Sequence, residues 1–313
     1  MQTWLIGVGP MGREYYKVIK ALGEPVKVIG RSDQSAAEFK ALTGQSVFCE
    51  SLKINLQTNG APERAIVAVS IDNLYQVAST LIGAGTKRIL LEKPGALNRS
   101  QIMALSDLAS SQGATVVIAY NRRFYAATLA AEAMIAEDGG ATSCTFEFTE
   151  WGNTITPLKI AAETKELWMY ANSSHVPDLA FYLCGEPAEL AAFHGGGLDW
   201  HRAASQFVGA GITNKGIFFS YHADWEAPGR WGVEVMTKKK RYIFRPMERL
   251  QVNPLNTTSI EIASLDYSLD ELYKPGLFLQ TKAFLAGEDK RFCSLPEQVN
   301  NMNIYAKMAG YSS

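Results

Sequence analysis

The first 120 residues alternate between two textures. Short, nearly continuous apolar runs, Thr3-Trp-Leu-Ile-Gly7, Val26-Lys-Val-Ile-Gly30, Ala65-Ile-Val-Ala-Val-Ser70, Arg88-Ile-Leu-Leu-Glu92 and Thr115-Val-Val-Ile-Ala119, are separated by stretches with helical spacing. In the first such stretch Met11, Tyr15, Val18 and Leu22 fall on one face. The spacing predicts further helices over 35–42, 73–83 and 99–111. Strands that are apolar on both faces and alternate with helices imply a parallel sheet covered on both sides, a doubly wound α/β arrangement.

Beyond about residue 124 the period changes to two. Cys144, Phe146 and Phe148 alternate with Thr145, Glu147 and Thr149, as in a strand with one buried face. Similar patterns predict strands over 190–194, 205–210, 216–222, 231–236, 241–244 and 259–262, preceded by a helix over 176–184. Helices near 277–285 and 297–308 close the chain. Strands that follow strands imply an α+β half with a large, mostly antiparallel open sheet and helices on one face. At 313 residues the chain exceeds what one hydrophobic core usually supports, so two domains are expected, 1–120 and 121–313, with the last helices able to pack back on the first.

Charge and cysteine usage narrow the function classes. Thirty Lys+Arg against 31 Asp+Glu give a formal net charge of -1, which offers no field to gather nucleic acid or anionic lipid. The basic run Lys238, Lys239, Lys240, Arg241 lies between two strand patterns and reads as a solvated hairpin turn. Cys49, Cys144, Cys184 and Cys293 lack metal-ligand spacing, and the amino terminus lacks the basic and apolar regions of a signal peptide. No apolar run approaches the roughly 20 residues of a membrane helix. A reducing, cytoplasmic location is expected, with no metal and no membrane partner.

Gly7-Val-Gly9-Pro10-Met11-Gly12 fits G-x-G-x-x-G and falls between the first strand and the first helix. Gly7 permits a tight turn, Gly9 lets a pyrophosphate approach the backbone, and Gly12 lets helix and sheet pack closely. Amides at the helix start face the phosphates, and Pro10 costs little there because its missing N–H has no helical partner to lose. About 20 residues on, Arg31 and Ser32 follow the second strand where an acid commonly receives the ribose hydroxyls of NAD. A guanidinium and a hydroxyl suit a 2′-phosphate, so NADP is the preferred dinucleotide, while Asp33 keeps NAD open. Ser70 and Glu92, at the ends of the third and fourth strands, join Lys93 in the expected cofactor set.

Glu92-Lys93-Pro94 stands at the carboxyl edge of the parallel sheet, where ligands bind in such folds. Taken alone, a lysine at a strand end also reads as a solvated charge. With the glycine motif, this tripeptide resembles the oxidoreductase family named for glucose-fructose oxidoreductase, inositol dehydrogenase and the rhizopine catabolism protein MocA (Gfo/Idh/MocA). The resemblance continues through Tyr120-Asn-Arg-Arg-Phe124, through Ser174-His175-Val-Pro-Asp178 with Leu183, Gly185 and Pro187, and into the last helices.

The resemblance implies an amino-terminal Rossmann domain, a second domain for substrate binding and oligomerisation, and NAD(P)-dependent oxidation or reduction at CH–OH groups. It implies a carbohydrate-like substrate and a homodimer or homotetramer built through the second-domain sheet. Lys93 would then meet the oxygen of the reacting carbinol, with the Lys93-Pro94 bond often cis in similar proteins. His175 would carry the proton, since imidazole titrates near working pH and an unperturbed lysine, near about 10.4, does not. Asn121, Arg122, Asn172, His175 and Asp178 form the candidate substrate set. Asp178 lies one helical turn from His175 and is read either as orienting the ring or as a simple helix-starting acid.

Related sugar dehydrogenases carry an aspartate four residues before this histidine, where this chain has Ala171. Asn172 offers hydrogen bonds there but no negative charge. That departure keeps two alternatives open: reduction of a non-sugar carbonyl or imine, and a non-catalytic NADP-binding sensor or scaffold. For Arg122 and Arg123 a structural ion pair is expected of at least one. Trp200-His201 and the stretch from His222 to Trp225 read either as pocket walls for a sugar or as core.

Overall fold

The computed structural model describes residues 2–311. The chain divides into two compact units, one running to Asn121 and including Glu271–Asn300, the other comprising Arg122–Asp270 and the chain from Asn301 on.

The first unit begins with β1 (Thr3–Ile6), α1 (Pro10–Ala21), β2 (Val26–Ile29), α2 (Asp33–Thr43) and α3 (Leu52–Asn59). It continues through β3 (Arg64–Val67), α4 (Ile71–Gly83), β4 (Arg88–Leu91), α5 (Arg99–Gln112) and β5 (Thr115–Ile118). These strands are parallel in the order β5-β4-β3-β1-β2. Every residue of β1 and β3 is buried, as a sheet covered on both faces requires. Local caps fix the helices: Ser32 accepts from the Ser35 N–H to start α2, and Asn98 accepts from the Gln101 N–H to start α5. Left-handed Gly44 and Gly113 end them. The α3 helix, capped by Ser51, was not expected, because Leu52-Lys-Ile-Asn-Leu-Gln-Thr-Asn59 shows little one-sided apolar spacing.

The second unit opens with α6 (Ala126–Glu137), an alanine-rich helix whose near-uniform apolarity leaves no period to read. There follow β6 (Ser143–Glu147), α7 (Gly152–Ile155), α8 (Ala162–Glu166) and α9 (His175–Cys184), with a π-helical turn over Met169–Ser173. The strands β7 (Pro187–Gly195), β8 (Gln206–Thr213), β9 (Phe218–Asp224), β10 (Gly232–Met236), β11 (Lys240–Phe244), β12 (Gln251–Pro254) and β13 (Glu261–Ile262) complete an eight-stranded sheet. Its order is β13-β12-β11-β10-β6-β9-β8-β7, antiparallel except where β6 runs parallel to β9. On one face Phe181 of α9 packs edge-on against Phe146 and Phe219, at 5.5 and 5.2 Å between ring centres. On β7 to β9, exposed Phe193, Val208 and Phe218 mark an apolar outer surface.

The chain then forms α10 (Ser268–Leu272), α11 (Leu277–Ala286), β14 (Cys293–Ser294) and α12 (Leu295–Ala309). Helix α11 packs on α1. Strand β14 pairs antiparallel with β5, Cys293 opposite Ile118, and so becomes the edge of the first sheet. Residues 271–300 are therefore part of the first unit.

Candidate active site

The glycine motif forms the turn between β1 and α1. Gly7 has φ of +111°, and a Cβ there would lie 2.2 Å from the Ala68 carbonyl oxygen. A Cβ on Gly12 would lie 2.1 Å from the Gly7 carbonyl oxygen, so helix and strand touch at backbone distance. Gly9 differs: nothing lies within 4 Å of a Cβ built on it, and it borders a cavity of about 550 Å³. The intrahelical ladder begins with the Arg13 N–H donating to the Gly9 carbonyl, which leaves the preceding amides without helical acceptors. An open cavity over a glycine at a helix mouth fits a dinucleotide pyrophosphate.

Gly7, Gly9, Arg31, Ser32 and Ser70 of the expected cofactor set line this one cavity. Pro10, Met11 and Gly12 build the helix start without lining it, and Glu92 and Lys93 stand outside its lining. The cavity also takes in Ser35, Cys49, Ser51, Leu52, Asn73 and Val77, which the sequence reading missed. Their only signal was local: Ser51 caps α3, and the Asn73 amide donates to Ser70 Oγ at 2.9 Å at the start of α4. Burial and the neighbouring Asp33 carboxylate push the Cys49 thiol above its ordinary pKa.

Glu92 and Lys93 follow β4, and the Lys93-Pro94 bond is cis. Buried Tyr15 donates to Glu92 Oε1 at 2.6 Å and to Gln280 Oε1 of α11 at 3.3 Å. Burial raises the Glu92 carboxyl, against the opposing pull of the Tyr15 bond and the charges of Lys93 and Lys274. The Gln298 amide donates to the Pro94 carbonyl at 2.9 Å and to the Tyr120 hydroxyl at 3.2 Å, so α12 fixes the segment after Lys93. Asn121, a candidate for substrate contact, is buried, and its Nδ2 is committed to the Pro275 carbonyl at 3.0 Å.

In the second unit His175 is the first residue of α9 and is 7% exposed. Its ring centre lies 6.1 Å from that of Trp231, over which the Arg122 and Arg230 guanidinium groups sit at 4.9 and 4.7 Å. Asp178 is spanned by Arg123 in a bidentate pair at 2.6 and 3.0 Å, and its side chain has no exposed surface. Asp178 is thus committed to Arg123, and the pair meets the expectation of an ion pair for one of the two arginines.

Asn172 and Ser173 turn to an acid that sequence reasoning missed. Glu150, buried after β6, accepts from Asn172 Nδ2 at 2.9 Å and Ser173 Oγ at 2.7 Å, and pairs with Arg230 at 3.3 Å. Burial raises its carboxyl, while these bonds and the Arg230 charge pull the other way. Ala171, which immediately precedes Asn172 of this cluster, is buried.

Trp200, His201 and Trp225 prove to be core. Trp200 and Trp225 stack at 5.8 Å, and His201 is held between the Ala204 carbonyl and the Tyr311 hydroxyl at 2.6 and 2.9 Å. Burial keeps the His201 imidazole below its ordinary pKa. Among the described residues no three His, Cys, Asp or Glu side chains group as a metal site, and no helix is long and apolar enough to cross a membrane.

Residues 1–120 match the family model GFO_IDH_MocA, described as an oxidoreductase family with an NAD-binding Rossmann fold. No curated protein matches the sequence. Solved structures share the whole fold. UDP-N-acetylglucosamine 3-dehydrogenase GnnA from Acidithiobacillus ferrooxidans superposes with a TM-score of 0.75 at 17% identity, covering 99% of this chain and 97% of its own. Levoglucosan dehydrogenase in complex with NADH and levoglucosan gives 0.79 at 17% identity, over 99% and 96% of the two chains. An oxidoreductase from Agrobacterium radiobacter, in complex with NAD+, L-tartaric acid and magnesium, gives 0.74 at 14% identity, over 97% and 94%. Residues 1–120 are thus similar to the Gfo/Idh/MocA oxidoreductase family with its NAD-binding Rossmann fold, and the solved structures share the fold of the rest of the chain.

Proposed function

We propose that the protein is an NAD(P)-dependent oxidoreductase that moves a hydride between nicotinamide and a secondary alcohol or carbonyl of a sugar, amino sugar or sugar nucleotide. The observation that carries this reading is the open cavity over Gly9 at the mouth of α1, bordered by the ends of β1, β2 and β3. The sugar-acting dehydrogenases of like fold support the substrate class.

A nicotinamide dinucleotide held at Gly7, Gly9, Arg31, Ser32 and Ser70 would supply the hydride acceptor or donor. The chain's own residues handle the oxygen and the proton. In oxidation the carbinol C–H leaves as hydride and the O–H proton must depart as the C=O forms. We assign that proton to the His175 imidazole and the stabilisation of the developing carbonyl oxygen to the Lys93 ammonium. Reduction runs the same transfers backwards.

NADP is the preferred dinucleotide in this proposal. Arg31, Ser32 and Ser35 border the cavity, whereas Asp33 begins α2 beside the Cys49 thiol. A guanidinium with neighbouring hydroxyls suits a 2′-phosphate. The apolar outer surface of β7 to β9 serves self-association between copies.

The test is a titration with NADP and NAD, followed by an absorbance screen against sugars and sugar nucleotides. Lys93→Ala and His175→Gln are each expected to lower kcat by roughly 100-fold or more while dinucleotide affinity stays unchanged. Arg31→Ala is expected to weaken NADP about tenfold and spare NAD, the scale of a charge-assisted phosphate contact. Absence of affinity for either dinucleotide overturns the proposal, and tight binding without turnover of any substrate returns the sensor reading.

A further inference from the structure

Beside the Glu150 cluster lies a second cavity, of about 610 Å³, with walls from the start of α7 and from the loop between β9 and β10. The two walls are joined through backbone: the Gly152 N–H donates to the Trp225 carbonyl at 3.1 Å, and a Cβ on Gly152 would lie 2.5 Å from that oxygen. The walls therefore meet at backbone distance on the Gly152 side. Trp151, Asn153, Thr154, Trp225, Glu226 and Leu198 line it.

Trp151 is the unusual member. Trp200 and Trp225 are buried, yet the Trp151 side of the same region is 50% exposed. It is not loose, because its Nε1–H donates to the Gly229 carbonyl at 2.9 Å and the Arg230 guanidinium packs over its ring at 4.8 Å. An indole held in place before a ligand arrives loses little rotational freedom on binding. Opposite chemistry sits nearby: Glu226 Oε2 accepts from Ser205 Oγ at 2.6 Å, which orients the carboxylate, and Asn153 adds an exposed amide.

A flat aromatic face next to an oriented carboxylate and an amide matches a pyranose, whose C–H face is apolar and whose equatorial hydroxyls donate hydrogen bonds. The nearby cation does not recruit an anion, since Arg230 is paired with buried Glu150. Glu226 and Asp224 also disfavour a negative ligand, and the Glu226 N–H donates to Asp224 Oδ1 at 2.9 Å, which holds the two acids together. Glu150 links this cavity to the residues just before His175, through Asn172 and Ser173.

We infer that the cavity lined by Trp151, Asn153 and Glu226 is a subsite for a neutral pyranose ring. This deepens the substrate class of the proposed function and rests on that reading only for the link between saccharide binding and the reaction. Trp151 supplies the exposed aromatic face, while Trp225 borders the cavity from the core and Trp200 is buried behind it in a stacked pair.

The experiment uses the full chain without dinucleotide and measures saturation-transfer NMR and calorimetric binding with glucose, cellobiose, N,N′-diacetylchitobiose and glucuronic acid. The neutral disaccharides are expected to bind more tightly than glucose, with transfer to ring C–H protons, and glucuronic acid most weakly. Trp151→Ala is expected to weaken the disaccharides about tenfold, the order of one stacking contact, while Trp151→Tyr retains most of the affinity. No binding of any neutral saccharide, or equal binding by Trp151→Ala, overturns the subsite. Saccharide binding in a protein with no affinity for NADP or NAD leaves the subsite standing and removes the redox reading instead, so the two failures are distinct.

Discussion

Asp138, just past α6, is a buried carboxylate whose partners all come from the β10–β11 hairpin about 100 residues away. Tyr242 and Thr237 hydroxyls donate to Oδ2 at 2.8 and 2.9 Å, and Lys240 and Lys239 approach Oδ1 at 3.4 and 3.9 Å. Burial pushes this carboxyl up, but the Tyr242 and Thr237 bonds and the Lys240 charge outweigh it and hold the pKa below the ordinary value. A depressed folded-state pKa means that the stabilisation is complete above the unfolded aspartate value near about 3.9 and is lost as pH falls through the folded one. Asp138→Asn is expected to lose about 1–3 kcal/mol at pH 7, the scale of hydrogen bonds to a charged group. The difference from the wild type should shrink below pH 4 in urea unfolding curves. The basic run does fall at a hairpin, with Lys238 and Lys239 in the turn and Lys240 and Arg241 already in β11, but its acid anchor was invisible because it is distant along the chain. The same holds at the candidate site. That Gly7, Gly9 and Arg31 border one cavity was legible because their placement is local to the β1–α1 turn and the end of β2, whereas Glu150 reaches Asn172 and Ser173 only through the folded sheet.

At the scale of elements, the β1–α1 turn separates two roles that a sequence motif merges. Gly12→Ala places a methyl against backbone that cannot yield. It is expected to cost roughly 2 kcal/mol or more of stability and to lose dinucleotide affinity as α1 shifts. Gly9→Ala meets no protein atom. Its stability is expected to match the wild type while dinucleotide affinity falls at least tenfold, because its methyl enters the cavity proposed to hold the pyrophosphate. Thermal melts and a fluorescence titration on the two variants check this pair. Elements with a clear period were legible from sequence, from β1 through α5 apart from α3 and across most of the second sheet. Those without one were not. Helix α3 is weakly patterned, α6 is apolar all round, and β12 is a short strand of half-buried residues.

For the whole molecule, the doubly wound and open-sheet halves followed from the change of period near residue 124. The return of residues 271–300 to the first unit did not, since nothing local in Cys293-Ser294 announces a partner at Ile118. The exposed face of β7 to β9 presents Phe193 at 66% and Phe218 at 62% exposure, large apolar groups that a solitary chain would leave in water. Phe218→Glu is expected to shift sedimentation from a dimer or larger species towards monomer at micromolar concentration, with the secondary structure unchanged. A monomeric wild type at every concentration would remove the self-association proposal.

The antiparallel strand β14 has a consequence for how this protein is made. During synthesis, the nucleotide-binding sheet emerges first but keeps a bare edge at β5 until Cys293 leaves the ribosome, after nearly all of the second unit. A gene fragment ending near residue 121 would therefore yield an unsealed sheet prone to edge-to-edge aggregation, and a soluble version would need residues 271–300 grafted onto it.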